Sequence, residues 1–74
     1  MDNNNTLNWK DTVKYGVSVC DFLIRGKGSM TGKQFADVIR HHYDNEKMSI
    51  VANCIETHVS CILAGYTKTA YFFK

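Results

Sequence analysis

Cys54, His58 and Cys61 stand four and three residues apart, a spacing that on a helix sets a thiol, an imidazole and a second thiol along one flank. Such a set holds zinc when a fourth ligand comes across, and His41 or His42 would be that ligand. The spacing matches no recognised finger or knuckle, however, and cysteine is among the residue types most often found in ordinary cores. We therefore expect no bound metal and no other cofactor. A nucleophilic cysteine paired with His58 fares no better, because neither an orienting carboxylate nor a cluster of oxyanion donors is identifiable.

The remaining constellations also read as structure. His41-His42 falls at an expected helix end, where the dipole favours imidazolium and surface histidines are common. Gly26-Lys27-Gly28-Ser29 contains G-x-G but lacks the further glycine and preceding strand of a dinucleotide site, and it falls short of a phosphate loop. It reads as a turn. Asp44 and Glu46 are helix-start charges, and no carboxylate pair has catalytic spacing. The chain is expected not to be an enzyme.

The elements that position these residues are short helical patterns with clear punctuation. Trp9, Val13, Val17, Cys20 and Ile24 recur at four, four, three and four, one face of a helix over 9–25. Asn8 caps it, Asp11 sits in its first turn, and Gly26 stops it in a left-handed conformation. Gly16 and the valines lower its propensity, so packing must hold it. Tyr15, Val19, Phe22 and Leu23 add a second apolar strip that implies contact on more than one side. In Met30-Thr31-Gly32-Lys33-Gln34-Phe35, Thr31 and Gln34 form a capping box and Met30 staples against Phe35. The resulting helix, 31–42, turns Phe35, Val38, Ile39 and Tyr43 inward, with Asp37 and Arg40 outward. Asp44-Asn45 makes a turn and a new cap, after which Met48, Val51, Ala52, Ile55, Val59, Ile62 and Leu63 form one apolar stripe that predicts a third helix ending at Gly65. The segment 67–73 carries strand-forming Tyr71, Phe72 and Phe73 and must pair with something, Ser29-Met30 being nearest. The expected fold is mainly α with minor β: a three-helix domain over 8–74 with a short C-terminal strand, preceded by a flexible tail, 1–7.

This order of elements resembles the winged helix-turn-helix family. Ser29-Met30-Thr31-Gly32-Lys33-Gln34-Phe35-Ala36 is similar to the strand and T-x-x-[EQ]-[FL]-A opening of that family's second helix, and Ile62-Leu63-Ala64-Gly65-Tyr66 to the exit of its recognition helix. The resemblance implies a winged-helix-like DNA-binding transcription regulator whose third helix enters the major groove while a hairpin wing lies beside the backbone. In this reading only one strand follows the third helix, so the wing is vestigial or completed by another chain.

At about 100° per residue, Ser49, Asn53, Glu56, Thr57 and Ser60 fall on the arc of the third helix opposite its apolar stripe. That arc contains no Lys or Arg. Because phosphate neutralisation supplies most non-specific DNA affinity, the cations must come from elsewhere. Lys27, Lys33, Lys47, Lys68 and Lys74 are the candidate backbone clamps. Asn53 and Thr57 are the candidate base readers, with Ser49 and Ser60 beside them. The competing reading is a solvated helix face.

Composition bounds both readings. The 74 residues allow one small core, and nine Lys and Arg against seven Asp and Glu give a net charge of +2, which permits a polyanionic partner without demanding one. Three cysteines make no even disulfide framework, which favours the reducing cytoplasm. No apolar run reaches the length of a membrane span, so no membrane partner is expected. The second functional class is a small protein, of the kind viruses encode, that binds and modulates a host protein. Its interface would be the cation-free third helix and the aromatics Tyr66, Tyr71, Phe72 and Phe73, which one strand cannot all turn inward. Homodimerisation through the strand edge 69–73 fits either class.

Overall fold

The computed structural model describes residues 8–63 and 70–74. Its elements are helices α1 (Trp9–Val19) and α2 (Asp21–Ile24), strand β1 (Ser29–Met30), helices α3 (Gly32–His42) and α4 (Glu46–His58), and strands β2 (Val59–Leu63) and β3 (Ala70–Phe73). The chain is thus mainly α with minor β. The tail 1–7 and Gly65, the expected stop of the third helix, lie outside the described residues.

The starts of α1, α3 and α4 follow from their caps. The Asn8 side chain accepts from the backbone N–H groups of Lys10 and Asp11 at 3.1 and 3.4 Å. Both halves of the capping box are present, Gln34 N–H to Thr31 Oγ1 at 3.1 Å and Thr31 N–H to Gln34 Oε1 at 2.9 Å. Asn45 accepts from the Met48 N–H at 2.8 Å. These side-chain oxygens satisfy backbone donors that a helix start otherwise leaves orphaned.

The expected helix over 9–25 is two helices. At Cys20 the backbone leaves helical values, at φ −105° and ψ 16°. The break follows Val17, Ser18 and Val19, none of them strong helix formers, and Cys20 and Ile24 are both fully buried beyond it. Gly26 ends the turn at φ +82°, as its type predicts.

The larger correction concerns the third helix. It ends at His58, and Val59, Ile62 and Leu63 belong to β2. Val59 pairs with Phe73 and Cys61 with Phe72, with the register shifting between Val59 and Cys61, so Ser60 is the extra residue of a bulge. In an unbroken strand Val59 and Ile62, three apart, would face opposite sides. The bulge turns both inward, and both are fully buried. A helix running into a bulged strand therefore writes the same apolar spacing as one long helix.

Two strands follow α4, not one. They pair antiparallel, and β1 joins the other edge of β2 through Ser29 opposite Leu63 and Met30 opposite Ile62. The terminal strand therefore pairs with β2, not with Ser29-Met30 as expected.

The core draws Val13, Ile24, Phe35, Ile39, Ile55 and Ile62 together from the helices and β2. Among the described residues no polar or charged residue is buried. Two glycines permit close approach: a Cβ at Gly16 would run into Val51 and Ile55, and one at Gly32 into the backbone carbonyls of Val59 and Ile55. Gly32 thereby lets the first turn of α3 rest on the junction of α4 and β2. The second apolar strip finds no cover, since Tyr15, Val19 and Phe22 stay exposed and only Leu23 packs against the core. No helix among the described residues is long and apolar enough to cross a membrane.

Candidate nucleic-acid interface

Ser49, Asn53 and Thr57 lie exposed along the outer side of α4, with Glu56 partly exposed between them. Ser60 is exposed too, but it sits at the β2 bulge and its hydroxyl donates to the Phe72 carbonyl at 3.0 Å. It is a strand residue tied to β3, a correction to its place on the helix arc.

The cation missing from this arc in the sequence arrives from α3. Arg40 lays its guanidinium over α4, with Nη2 2.6 Å from Asn53 Oδ1 and 2.7 Å from Glu56 Oε1. Its Nη1 is 3.1 Å from Asp37 Oδ1, and Asp37 Oδ2 is 3.2 Å from Lys33 Nζ. At the far end of α4, Lys74 Nζ donates to the Glu56 carbonyl at 3.2 Å and the Lys74 N–H to the His58 carbonyl at 2.8 Å. Arg40 and Lys74 thus both reach α4 at Glu56, and Lys33 is linked to Arg40 through Asp37. Sequence reasoning passed over Arg40, because an outward direction on one helix does not say which neighbour a long side chain will cross to.

The bond from Arg40 also fixes Asn53. Only its carbonyl oxygen can face a guanidinium, so the amide NH2 is left toward solvent. The outer side of α4 therefore presents the Asn53 amide donors and the hydroxyls of Ser49 and Thr57, which both donate and accept, beside the Glu56 carboxylate.

The other lysines are spread differently. Lys27 is exposed in the turn before β1. Lys47 lies on the opposite flank of α4, its Nζ 4.8 Å from the centre of the Tyr15 ring, and is not brought beside Asn53. Lys68 lies outside the described residues.

The would-be metal ligands are put to separate uses. His58 stacks on Trp9 at 4.1 Å with 15° between planes, and Phe73 meets the same indole edge-on at 5.2 Å. Cys54 Sγ donates to the Trp9 carbonyl at 3.5 Å, and burial pushes its thiol pKa up. Cys61 Sγ is 2.9 Å from Ser29 Oγ on the neighbouring strand. His42 is occupied with the rings of Phe22 and Tyr43, and His41 is exposed. Among the described residues no three His, Cys, Asp or Glu side chains are placed to share a metal.

Of the C-terminal aromatics, Tyr71 packs against the core and Phe73 against Trp9 and Tyr71. Phe72 points away and is 60% exposed. Tyr66 lies outside the described residues. A second apolar surface is larger: Tyr15, Val19 and Phe22 follow one another along α1 and α2, and Ile50 of α4, 52% exposed, faces Tyr15 across a shallow groove. Compared with models of known protein families, with curated protein sequences and with solved structures, the chain matches none.

Proposed function

We propose that the protein is a small, non-enzymatic regulatory module that binds duplex DNA through α4 and the hairpin behind it, as a winged-helix-like transcription regulator in the cytoplasm. The observation that carries this reading is the outer side of α4. Its exposed side chains include short hydrogen-bonding types suited to base edges, and cations from α3 and the end of the chain, Arg40 and Lys74, reach it at Glu56. Capped helices joined by residues 43–45, with an antiparallel strand pair after the second, have the element order that helix-turn-helix docking with a wing would use, which supports the reading. The hairpin supports the reading further because it supplies the second strand that the sequence left out.

A labelled mixed-sequence duplex titrated with protein at low and moderate salt tests this. Three or four phosphate contacts would give log K a slope on the order of −3 against log salt. Unchanged anisotropy at low salt rules the reading out.

A specific observation favours a second reading, a protein partner. Tyr15, Val19, Phe22 and Ile50 leave an apolar strip on the α1 side of the molecule, the kind of surface that partner proteins cover. A small virus-type modulator of a host protein would use this strip and Phe72. Pairing of two copies along the outer edge of β3 is compatible with both readings, and sedimentation at increasing concentration would reveal it.

A further inference from the structure

The guanidinium of Arg40 is the centre of the polar band on α3 and α4, and its partners are unequal. Asp37 divides its carboxylate between Arg40 and Lys33. Glu56 comes from the other helix and gives the shortest ion pair, 2.7 Å. The side chains of Arg40 and Glu56 are 34% and 37% exposed, so solvent and a ligand reach both. Ion pairs so placed are screened and weakly held, whereas a guanidinium fork takes a phosphate with the same geometry as a carboxylate.

We infer that Arg40 is the phosphate-binding residue of this face and that Glu56 is an internal stand-in for the phosphate, holding Arg40 in place and opposing DNA until a phosphate displaces it. The inference rests on the DNA reading and specifies its regulation. It accounts for the near-neutral band on what would be a binding face, where Lys33, Asp37, Arg40 and Glu56 alternate in sign. It also couples two events. While Arg40 holds Asn53 Oδ1, the amide offers chiefly its donors; once Arg40 turns to a phosphate, the oxygen is released and Asn53 can both accept from and donate to an adenine edge.

The test uses the full chain with Glu56→Gln, Arg40→Gln and both together, each titrated against a fluorescent mixed-sequence duplex across salt. Glu56 competes with the phosphate for Arg40 through an exposed ion pair, and removing a competitor of that strength translates to about twofold to fivefold in affinity, so Glu56→Gln should bind tighter by that factor. Arg40→Gln should bind more weakly and lower the magnitude of the salt slope by about 1. In the Arg40→Gln background the gain from Glu56→Gln should vanish, because its effect runs through the guanidinium. Thermal melts of each variant check folding, and Arg40→Lys, which keeps the charge and loses the fork, should fall between wild type and Arg40→Gln. Wild-type binding with no gain in Glu56→Gln, or with a gain that survives undiminished without Arg40, overturns this inference and leaves the DNA reading standing. Absence of binding by both wild type and Glu56→Gln overturns the DNA reading, and this inference with it.

Discussion

Burial pushes the Cys20 thiol up from its ordinary 9.0, and the neighbouring Tyr43 hydroxyl opposes the rise. Tyr43, half-buried, is raised from 10.0 by burial first and by Cys20 second. In both, the folded chain keeps a proton that the unfolded chain has lost. Stability from these groups is therefore whole below about pH 9 and declines as pH rises through the raised values. Urea midpoints measured from pH 7 to 10.5 should fall above pH 9, and less steeply in Tyr43→Phe. Thr31→Ala should cost about 1 kcal/mol through loss of the capping box. Gly32→Ala should cost about 1–3 kcal/mol or more, because the new methyl meets backbone carbonyls that cannot turn away. The cap was legible in the sequence because its partners lie three residues apart. The need for Gly32 was not, since the atoms that crowd it belong to Ile55 and Val59. Arg40 was hidden for the same reason: its partners on α4 are 13 and 16 residues away.

At the scale of elements, the decisive residue is Ser60. Its side chain does little, so Ser60→Ala should change stability by no more than about 1 kcal/mol, the worth of one hydrogen bond to Phe72. Deleting Ser60 removes the bulge and leaves Val59 and Ile62 two apart, a spacing at which an unbroken strand turns both fully buried side chains inward, so the deletion should keep the core and unfold close to the wild-type urea midpoint. Urea unfolding of the two variants side by side checks this. The bulge is also why the third helix was overrun in sequence. Ile55, Val59 and Ile62 keep helical spacing across a boundary that only strand pairing reveals, and β1 and β3 come from distant parts of the chain. Where spacing and punctuation agreed, as at Asn8, Thr31 and Asn45, the helix starts were placed correctly.

Taken as one molecule, the protein has two faces of opposite character. The outer side of α4, with Arg40 of α3 and Lys74 beside it, is polar and of mixed charge; the strip of Tyr15, Val19 and Phe22, joined by Ile50, is apolar. The mainly helical class with a C-terminal strand could be read from the sequence, as could Asn53, Thr57 and Ser49 as exposed side chains. The apolar strip was noticed as Tyr15, Val19, Phe22 and Leu23, but its exposure depends on what fails to pack against it, which no spacing encodes. The two faces make different predictions for where a ligand acts. The most direct test is an amide chemical-shift map of isotope-labelled protein titrated with short duplex DNA at low salt. The account predicts shifts concentrated at Ser49, Asn53, Glu56 and Thr57, with Arg40 and Lys33 beside them, and their disappearance as salt is raised. An unchanged spectrum, or shifts confined to Tyr15, Val19, Phe22 and Ile50, would contradict it.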